Sequence, residues 1–208
     1  MIITLASIIK TMKLVVRASE KQKKEVLEVI TEMNSITFVT DFTERDEIND
    51  ADAFLDLMFE DDPSTLPYLQ QLLPKLIIIN SVAKTLSETD KNFIRINAWE
   101  GFLNKPLLEG SYLEENYKTK AEVILVALGK KIQWVPDEPG FISARVVSLI
   151  INEAYLAFNE GVSTKDEIDA AMKSGTSYPF GPFEWAEKIG VDKIKNLLLS
   201  LEKYKKVT

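Results

Sequence analysis

Lys13 to Arg17 (KLVVR) is a short branched run that stops where charge begins, and it predicts a β-strand. Ser19 then offers an N-cap. From Glu20 to Met33 the apolar residues Val26, Leu27, Val29, Ile30 and Met33 recur at helical spacing, and Asn34-Ser35 ends the pattern. Ile36 to Val39 (ITFV) predicts a second strand, closing at Asp41. Strand, helix and strand with short connections is the signature of a parallel sheet covered by helices. Further strands are predicted at 53–59 (AFLDLMF), 76–79 (LIII), 93–96 and 131–135, with helices over 63–73 and 118–128, the latter closed by Gly129-Lys130.

Pro136-Asp137-Glu138-Pro139-Gly140 breaks this order. Beyond it the spacing is helical throughout. One long helix over 141–160 carries Ile142, Leu149, Ile150, Ala154, Tyr155 and Phe158 and stops at Gly161. Thr164 and Glu167 form a capping box for a second helix ending at Gly175. Pro182 opens a third, closed by Gly190, and Asp192 starts a fourth with Ile194, Leu197, Leu198, Leu201 and Tyr204. The expected architecture is an α/β domain over 1–136 with a shortened parallel sheet, followed by an all-α domain over 137–208.

Composition narrows the chemistry. The chain has 208 residues, 25 Lys plus Arg against 32 Asp plus Glu, and a net charge of −7. That balance argues against a nucleic-acid binder, which needs a basic footprint. There is no cysteine, so thiolate nucleophiles, disulfides and Cys-based zinc sites are excluded. There is no histidine, which removes the usual general base near neutral pH. All eight glycines lie at Gly101 or later, so the first hundred residues hold neither a Walker loop nor a G-x-G-x-x-G turn. Residues 41–62 carry ten carboxylates against one basic residue, Arg45, and read as a solvated acidic connection rather than a hard-cation loop, which needs fixed spacing and a turn glycine.

Met1 to Ile9 is apolar but short, with no basic residues ahead of it and no small-residue cleavage site after it. It reads as a buried element, or as an extension ahead of a start at Met12. No apolar run approaches the roughly 20 residues of a spanning helix, so the expectation is a cytoplasmic protein without a membrane partner. Trp99, Trp134 and Trp185 read as packing residues, Tyr178-Pro179-Phe180-Gly181-Pro182 as a rigid interhelix corner, and Lys203, Lys205 and Lys206 as a complement to a helix C-terminus.

From Ala127 onward, ALGKKIQWVPDEPGFISARVVSLIINEAYLAFNEGVSTKDEIDAAMKSGTSYPFGPFEWAEKIGVD resembles the junction and C-terminal domain of the 3-hydroxyacyl-CoA dehydrogenases. The markers are LGKK, PGF, NEA, EGV, the D-x-A-M helix and YPFGPFE, in order. The resemblance implies an N-terminal Rossmann domain that binds NAD, a role in fatty-acid metabolism, an acyl-CoA or CoA ligand, and a homodimer through residues 139–208. Asp41, at the end of the second strand, is similar in place to the acidic residue that holds the adenine ribose. Ile79-Asn80-Ser81 is similar to the family's S-N-T-S turn, and FIRINAWEGFLNKPLLE (93–109) to the segment bearing its catalytic histidine and glutamate. The α/β half is shorter than usual in the family, with elements expected to be missing in the 40–53 region.

Carried over residue by residue, the machinery is incomplete. The dinucleotide glycines would fall between Arg17 and Glu25, where RASEKQKKE contains none. The histidine position is Asn97, its partner carboxylate is retained as Glu109, and the active-site asparagine after PGF is Ala144. The hydroxyl of the turn nearest the substrate falls at Val82. Hydride transfer from a 3-hydroxyl needs a base for the hydroxyl proton, and an asparagine side chain cannot take it. The expectation is therefore a non-catalytic member, lacking a confident cofactor and serving as an acyl-CoA-binding or assembly module. The alternative is an active oxidoreductase with Glu109, or Tyr112, as an altered base; carboxylates titrate near 4 and match an alcohol proton poorly.

Overall fold

The computed structural model describes residues 12–28, 35–42 and 50–205. The chain divides into two compact units, 1–138 and 139–208. In the first, β1 (Leu14–Arg17), α1 (Glu20–Leu27) and β2 (Ile36–Val39) form the opening strand–helix–strand unit, followed by β3 (Ala53–Asp56), a 3₁₀ turn (Pro63–Thr65), α2 (Leu66–Gln71) and β4 (Leu76–Asn80). After a second 3₁₀ turn (Leu86–Glu88) come β5 (Ile94–Ile96), β6 (Leu107–Ser111), α3 (Glu115–Ala127) and β7 (Lys131–Trp134).

The strands lie in the order β2-β1-β3-β4-β5-β6-β7. The pairings from β2 to β5 are parallel, with Leu14 opposite both Ile36 and Ala53. β5 and β6 are antiparallel, and β6 and β7 run parallel again. Helices cover both faces, which is why β1, β3 and β4 read as unbroken apolar runs rather than alternating ones. Leu14, Val16, Leu55, Ile78 and Ile96 pack one face against Ala121, Ile124 and Leu125 of α3. Val15, Phe54, Ile77, Ile79 and Phe93 pack the other with Leu69 of α2.

The structure adjusts several expectations. β6 is a seventh strand that the sequence pattern did not reveal, because Glu109-Gly110 interrupts its apolar signal. Gly110 is required there: a Cβ would come within 2.6 Å of Ile132 Cδ1 and 3.3 Å of the Arg95 carbonyl. The strand expected over 53–59 stops at Asp56, whose Oδ1 accepts from the Met58 N–H at 3.0 Å and bends the chain into a turn. The helix over 63–73 is a 3₁₀ turn followed by the short α2. α3 starts at Glu115, earlier than the apolar spacing suggested. The part of the first helix at 29–33, the acidic stretch at 43–49 and the segment 1–11 lie outside the described residues. The units part after Glu138 rather than at Pro136, because Arg95 holds both Asp137 and the Glu138 carbonyl in the first unit.

The second unit consists of α4 (Ser143–Asn159), α5 (Lys165–Thr176), α6 (Pro182–Ile189) and α7 (Val191–Lys205). α4 starts two residues later than expected because Gly140 and Phe141 adopt positive φ of 85° and 52°. Thr164 and Glu167 make the capping box of α5. The Tyr178–Pro182 corner is fixed by Asp169, whose Oδ1 accepts from the Phe183 N–H at 2.8 Å and Oδ2 from the Glu184 N–H at 3.1 Å. Only glycine fits at 181, since a Cβ there would lie 2.2 Å from Asp169 Cγ. Among the described residues, no helix is long and apolar enough to cross a membrane.

Candidate functional site

The C-terminal ends of β1, β3, β4 and β5 converge on one edge of the sheet, the usual place for ligands in an open α/β fold. Asn97 follows β5 directly. Its side-chain amide donates to Glu109 Oε2 at 3.3 Å, and its backbone N–H donates to the Glu109 carbonyl at 3.0 Å. The antiparallel β5–β6 pairing thus brings together two residues twelve apart in sequence. Asn97 is buried and Glu109 half-buried. Tyr112, by contrast, leaves β6 with the side-chain parity opposite to Glu109. It stacks edge-on against Trp134 at 5.1 Å, beneath the Lys118 ammonium.

Asp41 is exposed, two residues past the end of β2. Val82 is buried in the turn after β4. Ala144 is buried in the first turn of α4, in the second unit. Among the described residues, no three His, Cys, Asp or Glu side chains are grouped to hold a metal ion.

The first βα turn is built from residues whose role the sequence did not disclose. Arg17, the last residue of β1, is 5% exposed at its side chain and pairs with the fully buried Asp56 at the end of β3, Nη1 to Oδ2 at 3.2 Å. The guanidinium also pairs with Asp62 and donates through Nε to the Thr40 carbonyl at 3.3 Å. Asp56 takes a further hydrogen bond from the Thr65 hydroxyl at 2.9 Å. Burial pushes the Asp56 carboxyl up from its ordinary value, while Arg17 and the Thr65 hydroxyl oppose that shift. At the start of α1, Ser19 and Gln22 satisfy each other in a capping box: the Gln22 N–H donates to Ser19 Oγ at 3.3 Å and the Ser19 N–H to Gln22 Oε1 at 3.0 Å.

This turn does not fit a dinucleotide. A pyrophosphate needs close backbone approach and free N–H groups at the helix N-terminus. Here a guanidinium lies across the ends of β1 and β3, and Ser19 occupies the Gln22 N–H. Arg95 is a second unforeseen buried charge. Its Nε lies 2.9 Å from Asp137 Oδ1. Burial pushes the Arg95 guanidinium below its ordinary value, and Asp137 opposes that shift. The available signal was a charge inside an apolar strand, as in VVR, FLD and IRI, since a buried charge must find a partner. Spacing alone could not say which partner.

Residues 140–207 match the family model for the 3-hydroxyacyl-CoA dehydrogenase C-terminal domain. The chain is 40% identical over 83 residues to a 3-hydroxyadipyl-CoA dehydrogenase of Escherichia coli (strain K12), covering 40% of this chain and 18% of that protein. It is 35% identical over 121 residues to a 3-hydroxybutyryl-CoA dehydrogenase of Bradyrhizobium diazoefficiens, covering 54% of this chain and 40% of that protein. In both cases the matched part spans less than half of the relative. The fold is similar to that of an (S)-3-hydroxybutyryl-CoA dehydrogenase from Ralstonia eutropha, with a TM-score of 0.65, 24% identity, and coverage of 81% of this chain and 63% of that one.

Proposed function

We propose that the chain is a non-catalytic member of the 3-hydroxyacyl-CoA dehydrogenase family, whose C-terminal domain its residues 140–207 match, acting as an acyl-CoA-binding or assembly module. The first βα turn carries this reading: it has no glycine for close approach of a pyrophosphate, and Arg17 at its start is committed to Asp56. Asn97 supports it independently. An amide beside Glu109 can hydrogen-bond a ligand but cannot accept and hold the proton of a 3-hydroxyl. Glu109 as a sole base is the weaker alternative, since its Oε2 already accepts from Asn97.

The helical unit is the proposed dimerisation surface. Val146, Leu149, Leu156, Val191 and Leu199 are large apolar residues exposed on α4 and α7. A groove of about 350 Å³ between these helices is lined by Ile151, Tyr155, Val191, Ile194, Leu198 and Leu199. Exposed apolar surface of this kind supports self-association through residues 139–208.

The test is a thermal-shift panel of NAD, NADH, CoA and acetoacetyl-CoA, because a ligand of the native state raises Tm by mass action. A shift with the CoA species alone is expected. A shift with NADH, accompanied by saturable enhancement of NADH fluorescence at micromolar concentration, overturns the reading.

A further inference from the structure

The turn after β4 holds a carboxylate on its backbone amides. Arg95 Nη1 collects three carbonyls of this turn: Ser81 at 3.2 Å, Val82 at 3.3 Å and Lys84 at 2.9 Å. With those carbonyls drawn to a buried cation, the Val82 and Ala83 N–H groups are left to converge elsewhere. They meet on one oxygen, Glu60 Oε1, at 2.9 Å and 2.7 Å. The other Glu60 oxygen accepts from the Trp99 indole N–H. Paired backbone amides aimed at one point form an anion-binding concavity, and the indole adds a third donor on the other carboxylate oxygen.

The turns that carry these donors are cross-linked through Asn80. Asn80 donates to the Leu57 carbonyl at 3.1 Å and accepts from the Ala98 N–H at 3.0 Å, tying the turns after β3 and β5 together. Val82 and Trp99 are fully buried, whereas Glu60 is only half-buried and enters from a turn. The donors are therefore buried, and the side chain that reaches them is the more exposed partner.

We propose that the Val82 and Ala83 amides and the Trp99 indole form a carboxylate-binding site, which Glu60 fills as a tethered occupant and which opens to a small-molecule carboxylate when Glu60 is withdrawn. A tethered group competes at a high effective concentration. Simple carboxylates therefore stay out of the unaltered protein, and a ligand entering there must carry contacts beyond its carboxylate. The inference does not depend on whether the chain binds NADH or CoA.

Glu60→Ala empties the cradle, and Glu60→Gln sets its amide N–H₂ against the indole N–H, donor against donor, with less loss of packing. Formate and acetate are the probes, with chloride at equal ionic strength as the control. Formate is expected to raise the Tm of Glu60→Ala by several degrees and to change its tryptophan fluorescence saturably, with a smaller response from Glu60→Gln and none from the unaltered protein. If Glu60→Ala does not fold, Glu60→Gln decides by itself. Variants that respond to formate no more than the unaltered protein, or equally to chloride, overturn the proposal.

Discussion

The Asn97 side chain donates to Glu109 Oε2 at 3.3 Å beside the antiparallel pairing of β5 and β6. The resemblance implies that Asn97 stands where the family carries its histidine and Glu109 where it carries the partner carboxylate. A carboxylate beside an amide lacks the imidazole of a His–Glu pair, so any proton transfer here would fall to Glu109.

Asn97→His restores an imidazole beside Glu109. Supplying a general base is worth about 10²–10⁴-fold where the rest of a site is intact. Here Arg17 still crosses the first βα turn and Ala144 is unchanged, so the variant is expected to show no acetoacetyl-CoA-dependent oxidation of NADH above background. Turnover at the level of an ordinary 3-hydroxyacyl-CoA dehydrogenase would refute the non-catalytic reading.

Leu199 is 55% exposed while its neighbour Leu197 is fully buried, so the apolar run on α7 faces more than one direction. Light scattering on a size-exclusion column is expected to give about twice the chain mass of 23.5 kDa. Leu199→Asp is expected to shift that value to the monomer with the fold retained. A monomeric unaltered protein removes the dimer proposal.

Asp137→Asn leaves the Arg95 guanidinium buried without its counter-charge, and weakens the acceptor for the Leu86 N–H, now 2.8 Å from Oδ2. Breaking one partner of a buried pair costs about 3–5 kcal/mol. Urea unfolding is expected to move to lower denaturant, with a loss of unfolding free energy in that range. A loss under about 1 kcal/mol, the scale of an exposed pair, would mean that the carbonyls around Arg95 suffice.

Glu184 pairs with Lys173 and accepts from the Gly181 N–H at 2.8 Å, which holds its carboxyl below the ordinary value. A lowered folded-state pKa stabilises the fold above the unfolded value, and that contribution is lost as pH falls through the folded one. Glu184→Gln is therefore expected to lower Tm slightly at neutral pH, with the difference closing in acid. A difference that persists unchanged below the carboxylate range would assign the effect to packing instead of charge.

The amino-acid order by itself determined the two-part architecture, six of the seven strands, the four C-terminal helices and the Thr164–Glu167 capping box. These rest on periodicity and caps, which act over a few residues and so are written locally in the chain. It also determined which groups are absent, since no fold can supply an imidazole, a thiol or an early glycine that the chain lacks. Only the tertiary structure decided the partners of Arg17, Asp56 and Arg95, the convergence of Val82, Ala83 and Trp99 on Glu60, and the existence of β6. Those depend largely on contacts between residues far apart in the chain, 22 positions for Val82 and Glu60, 39 for Arg17 and Asp56 and 43 for Arg95 and Glu138. There the strand order and register, not local propensity, choose which buried charge meets which.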